Sequence, residues 1–198
     1  MNKAILMSIQ PKWLVKILNG EKTIEIRKTM PKCELPIDVY LYCTKGKPLF
    51  RLPTNDKKDR FVRVPYGWVV DKKTGFNGRV VAKFTLNKCY ELEFRDDDYD
   101  CGISYYWKNT IISGTELERK SCLTQCYMEE YAGGKNIYAW HIDDLVIFNK
   151  PMELGEFSTF KRETIHCGMD CPPYTDWVEY RVRKAPKSWQ YVYVEDEV

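Results

Sequence analysis

The chain of 198 residues has no apolar run near the roughly 20 residues that cross a bilayer. Its first apolar stretch, Ala4-Ile5-Leu6-Met7-Ser8-Ile9, is too short for a secretory signal core, and Pro11 soon follows. A cytoplasmic protein with no membrane partner is therefore expected. Glycine-rich phosphate loops are missing. Neither G-x-G-x-x-G nor the Walker pattern occurs, which argues against the nucleotide-binding α/β classes built on them. There is no internal repeat and no low-complexity tract. Histidine is scarce: only His141 and His166 are present. His141 follows Trp140 in a strand-like stretch and reads as a hydrogen-bonded structural residue. Excess charge is also lacking. The formal net charge of +3 does not by itself mark a nucleic-acid binder.

What is present is an ordinary globular composition, 44% hydrophobic and 30% charged, which argues against disorder. The length fits one domain over 1–198 with its own core. Aromatic residues reach 14%, which suits pleated strands and equally suits base stacking. Charge is unevenly spread. Residues 1–35 hold seven basic and three acidic side chains, while residues 90–100 hold six acids and one arginine. The acidic stretch is a candidate contact for a protein partner, and a mixed solvated surface is the plainer reading. Eight cysteines in a reducing compartment are expected as thiols or metal ligands. Cys122 and Cys126 are spaced i, i+4, and so are Cys167 and Cys171, with His166 adjacent. No cofactor is expected. The alternative is a tetrahedral zinc site through Cys122, Cys126, Cys167 and Cys171, although C-x-x-C spacing is commoner.

The local patterns predict an α+β, β-rich chain. Residues 4–9 read as a strand. Pro11 suits a first helical position, and Leu14, Ile17 and Leu18 follow at i, i+3, i+4 spacing. Gly20 is placed to end that helix in a left-handed conformation. Residues 23–27 alternate, with Ile24 and Ile26 on one face and Thr23, Glu25 and Arg27 on the other. Further strands are predicted at 37–43, 79–86, within 138–148 and at 189–195. Residues 45–77 read as a long loop or hairpin. A short helix is expected within 122–132, stopped by Gly133-Gly134. Residues 91–121 and 154–187 read as irregular insertions. Many short strands and one early helix predict a compact barrel or α+β fold.

The segment Gly20-Glu21-Lys22-Thr23-Ile24-Glu25-Ile26-Arg27 carries the functional reading. Glu25 and Arg27 lie two apart on a strand, so they share a face. Lys22 stands at the helix-to-strand turn, where its ammonium can reach the same place. Two cations around one carboxylate suit an anionic ligand: phosphate on Lys22 and Arg27, with Glu25 orienting Arg27 or accepting from a base or sugar. The plainer alternative is an ion pair that fixes the strand. Trp13, Tyr40, Tyr42, Trp140 and Trp189 are candidates for stacking if they line the cleft. Trp189 is favoured among them because strand ends border binding mouths.

In full context this segment resembles the G-x-K-x-x-E-x-R motif of ASCH domains, and all the fixed positions match. Residues 138–148 (YAWHIDDLVIF) and 185–195 (APKSWQYVYVE) are also similar to that family. The resemblance implies a small PUA-like β-barrel whose cleft takes RNA, single-stranded nucleic acid or a modified nucleotide. It names no protein partner, and a protein-interaction module remains a third option. It also implies a competing class, a hydrolase on the same cleft, with Lys22 and Glu25 as catalytic candidates. Some ASCH-like proteins are amidohydrolases on acetylated cytidine, using the motif lysine, a strand threonine and a distant glutamate. Here Glu25 stands where that threonine would be, and Thr23 is the nearest hydroxyl. Ribonuclease chemistry would instead use Lys22 and Arg27 as a phosphate clamp and Glu25 as general base.

Overall fold

The computed structural model describes residues 1–52, 60–63, 75–92, 105–107, 110–166 and 174–195. The chain runs through strand β1 (Asn2–Ile9), helix α1 (Pro11–Leu18), β2 (Ile24–Arg27), β3 (Ile37–Cys43), β4 (Leu49–Leu52) and β5 (Arg60–Arg63). It continues with β6 (Val80–Leu86), β7 (Cys89–Leu92), β8 (Tyr105–Trp107), β9 (Thr110–Ile112), α2 (Gly114–Ser121) and α3 (Gln125–Ala132). β10 (Ile137–His141), β11 (Asp143–Met152), β12 (Phe157–Ile165), β13 (Tyr174–Arg181) and β14 (Trp189–Val194) complete it.

A seven-stranded sheet, in the order β11-β6-β3-β1-β14-β12-β13, is the backbone of the molecule. β1 lies at its centre, parallel to β3 and antiparallel to β14. Its near-continuous apolar run follows from that place, because a central strand covered on both faces has no polar side to present. Ile5, Met7 and Ile9 enter a core with α1, β3, β6 and Trp140. Ala4 and Leu6 enter the core on the other face, with Phe157, Val192 and Val194. A second sheet, β2-β10-β7, packs Ile24, Ile26 and Ala139 against Leu117 of α2 and Met128 of α3. Only Ile142 separates β10 from β11, so the chain passes directly from the small sheet into the large one.

The mixed, strand-rich class agrees with the sequence expectation. The expected barrel is not closed: among the described residues the pairings run openly from β11 to β13. Side chains bridge the sheets instead, and Trp140 of β10 lies wholly buried in the core of the larger one. The stretch 154–187 also differs from expectation, since β12 and β13 form a long antiparallel hairpin, from Ser158↔Arg181 to Ile165↔Tyr174. The stretch 91–121 is not wholly irregular either; it contains the end of β7, the β8–β9 pair and α2.

Helix α1 begins at Pro11 and buries Leu14, Ile17 and Leu18 as the spacing requires. Gly20 follows at φ +74°, a backbone that costs a side-chain-bearing residue about 1–2 kcal/mol. Through this turn the amides of Glu21 and Lys22 both donate to the Lys16 carbonyl, at 2.8 and 3.1 Å. The turn carries Lys22 inward and starts β2.

Candidate nucleic-acid cleft

The face carried by β2 is set by its pairing with β10, where Glu25 lies opposite Trp140 and Arg27 opposite Tyr138. Ile24 and Ile26 fill the small-sheet core, which turns Glu25 and Arg27 the other way, between the two sheets. Lys22, Glu25 and Arg27 are all buried, at 2%, 7% and 8% exposure, and they meet. Lys22 Nζ lies 3.3 Å from Glu25 Oε2, and Arg27 NH2 lies 3.2 Å from Glu25 Oε1. The three motif residues therefore form one ionic chain around a central carboxylate.

Each cation has a further tie. Lys22 Nζ donates to the Ser121 carbonyl at 2.6 Å. Ser121 is the last residue of α2, and such a carbonyl has no partner within its own helix and sits at the negative end of the dipole. Cys122 closes that helix at φ 54°. The ammonium also stands 5.7 Å from the centre of the Trp13 ring. Arg27 NH2 donates to the Ser8 carbonyl at 2.9 Å, and NH1 to Ser188 Oγ at 3.3 Å. The site thus draws on β1, β2, the end of α2 and the turn before β14. Arg27 Nε and Glu25 Oε2 are buried without a hydrogen-bond partner among the described residues. The Lys22 contact at 3.3 Å is a charge contact with Oε2 and does not satisfy it as a hydrogen bond.

This chain opens on a cleft of about 280 Å³. Trp13, Tyr127 and Tyr131 supply its flat surfaces and Lys187 a further cation. Trp13 and Tyr127 meet edge to face at 5.9 Å, and Lys12 Nζ lies 4.8 Å from the Trp13 ring centre. Lys28 Nζ is 5.0 Å from Tyr131. Burial, the largest influence, pushes the Tyr131 hydroxyl pKa up, so at neutral pH it remains a neutral donor. A larger hollow of about 410 Å³ lies at the opposite end of β1, beside Lys3, Asp38 and Lys83. No motif residue lines it, and its Lys83 is held by Asp38 at 3.1 Å.

Trp189 is half-buried and does not line the motif cleft. Its ring packs on Trp140 at 5.4 Å and its Nε1 donates to Thr29 Oγ1 at 3.0 Å. Of the other stacking candidates only Trp13 lines the cleft; Tyr40, Tyr42 and Trp140 are buried in the cores. Tyr127 and Tyr131 were not singled out from the sequence. Their i, i+4 spacing after the capping Thr124 was the available signal, since it puts both rings on one face of α3. Thr23 does not line the cleft, and the Ser8 hydroxyl is donated to the Pro186 carbonyl at 2.7 Å. His141 bonds Asp143 at 2.7 Å. Cys122 Sγ lies 3.5 Å from the Glu21 carbonyl and Cys126 is exposed; Cys167 and Cys171 fall outside the described residues, as does the acidic run 93–100. Among the described residues no three metal-ligating side chains cluster, and no helix is long and apolar enough to cross a membrane.

No protein-family model matches the chain, and no curated protein matches it. Solved structures of an ASCH protein are similar to it. The ASCH structure from Zymomonas mobilis has a TM-score of 0.45 at 15% identity, covering 76% of this chain and 73% of that one. A single-substitution variant of that protein has a TM-score of 0.46 at 14% identity, covering 77% of both chains. A second variant has the same TM-score and identity, over 76% of this chain and 74% of that one.

Proposed function

We propose that the protein binds single-stranded RNA or a modified nucleotide in the cleft above Lys22, Glu25 and Arg27. The observation that carries this reading is a buried chain of two cations and one carboxylate, opening on a cleft rimmed by aromatic rings. The excess positive charge complements a phosphate. Arg27 lines the cleft, and its planar guanidinium has the geometry that clamps a phosphate. Glu25 lines the same cleft, and its carboxylate is the acceptor for a base or sugar donor. Trp13, Tyr127 and Tyr131 offer faces for stacking. The motif's resemblance to ASCH domains points the same way.

The competing reading is a hydrolase on this cleft. Glu25 beside Lys22 at 3.3 Å speaks for it, as a carboxylate set next to a cation in the lining of the cleft. Against an amidohydrolase stand the position of Thr23 outside the lining and the engaged hydroxyl of Ser8. One experiment separates the readings. Labelled single-stranded RNA is incubated with the native protein, and anisotropy and a denaturing gel are read together. Lys22→Ala and Arg27→Lys are run beside it, the second because Lys22 also holds α2. Salt-sensitive binding of intact RNA, weakened about tenfold in Arg27→Lys, is the expected result. Shortening of the RNA that both variants lose would move the assignment to a ribonuclease. Absence of binding to RNA and to modified nucleosides by the folded native protein would overturn it.

A further inference from the structure

We infer that a second, aromatic subsite on the β12–β14 surface continues the motif cleft, and that it takes bases of a single RNA strand whose phosphate sits at Arg27. This rests on the nucleic-acid reading above and extends it from one nucleotide position to a track.

The alternation of β14 makes the track. Trp189, Tyr191 and Tyr193 fall on one face, opposite Met7, Ile5 and Lys3 of β1. Ser188, immediately before Trp189, holds Arg27 in the motif cleft. From there two ring pairs follow: Trp189 with Tyr191 at 5.5 Å, edge to face, and farther on Tyr193 with Phe160 of β12 at 4.9 Å. The register Arg162↔Trp177 puts Trp177 of β13 on the same face as Phe160. These residues enclose a hollow of about 420 Å³, lined by Lys3, Phe160, Trp177, Tyr191 and Tyr193 among others.

Core packing explains Trp189 but not this hollow. Trp177 is 65% exposed, the most exposed of the large apolar side chains described. The bare indole of Trp177 belongs to none of the buried clusters, whereas base faces stack on such a platform regardless of sequence. The charge suits an anionic strand. Lys3 is exposed, with Nζ 4.4 Å from the Tyr191 ring centre, and Arg162 is exposed beside Trp177. The nearby acids are engaged: Arg181 lies 2.9 Å from Glu195 and 3.8 Å from Glu179. From Ser188 to Tyr193 is five residues of extended chain, about 17 Å at ~3.4 Å per residue, a span for a few nucleotides.

The test uses the full chain and labelled single-stranded RNA of about four and about twelve nucleotides, read by anisotropy. In native protein the longer probe binds more tightly. Trp177→Ala weakens the longer probe about tenfold and leaves the shorter one unchanged, and Trp177→Phe restores most of the loss. Trp177 is on the surface, so folding is not at issue, and circular dichroism checks it. If Trp177→Ala binds both probes as the native protein does, the track is refuted while the cleft stands. If the native protein holds the two probes equally, the track is refuted in the same way. If it binds neither probe, the cleft reading fails and the track with it.

Discussion

Strand β2 is four residues long and hides a carboxylate and a guanidinium; β13 is eight residues long and leaves an indole in water. Judged by side-chain polarity alone, Glu25 and Arg27 should be exposed and Trp177 covered. What reverses this is position. β2 has helices α2 and α3 on one face and the large sheet on the other, so whatever it carries on its second face is enclosed, and its charges survive only because they pair with one another and with backbone carbonyls. β13 is the outermost strand of the large sheet, with nothing beyond it among the described residues. Its rings stay exposed because no layer covers them. A buried charge and a bare aromatic ring are both departures from the default.

The sharpest break of this contrast sets two lysines against each other. Lys22→Ala is expected to cost about 3–5 kcal/mol in urea unfolding, because it leaves the Glu25 carboxylate and the Ser121 carbonyl buried and unpaired. Lys16→Ala removes an exposed pair with Glu21 at 3.2 Å and should change stability by less than about 0.5 kcal/mol. Equal values would mean that the motif is solvated. Two tryptophans make the next test. Trp140→Ala should lose about 3–5 kcal/mol, since a fully buried indole bridges the sheets. Trp177→Ala should fall within about 0.5 kcal/mol, and a large loss there would mean that Trp177 is structural.

The third test uses pH. Burial pushes the Cys43 and Cys89 thiols from 9.0 up to about 12. Between those values the unfolded chain has lost the protons that the folded chain keeps. Stability therefore falls as pH rises through that window, by up to about 1.4 kcal/mol per pH unit for each thiol. Cys43→Ala should flatten the alkaline decline. Timed alkylation at pH 8, followed by mass spectrometry, should label exposed Cys126 well before either of them. Rapid labelling of Cys43 would contradict its enclosure.

The early part of the chain was the most legible. The residues 37–43 form β3 as read, and the Pro11 helix, the Gly20 turn and the two faces of β2 follow the pattern, because local signals and burial agree there. The meeting of Lys22, Glu25 and Arg27 was readable from spacing. Their partners were not, because Ser8, Ser121 and Ser188 are remote in sequence and carry no motif. Helix α2 was missed because Leu117 is its only large apolar residue; the readable signal was Ser113 with Glu116 three positions on, where the serine hydroxyl accepts from the Glu116 amide at 3.2 Å. The β12–β13 hairpin was missed for the reason that leaves Trp177 bare. An edge pair with no covering layer has no apolar face to alternate, and only its β-branched and aromatic content pointed to strand.

The distances along the chain that close the cleft bear on when it can come into being. Lys22 reaches a carbonyl 99 residues away, Arg27 a hydroxyl 161 away, and Ser8 a carbonyl 178 away. The strand at the centre of the large sheet is synthesised long before one of its neighbours, β14. Contacts of such separation form slowly, because the loop entropy is spent before the contact rewards it. During translation the motif emerges well before Ser188, and a nascent chain that stops short of Ser188 lacks the Arg27–Ser188 contact. On the reading proposed above, binding at this cleft would require the chain to have been made at least through Ser188.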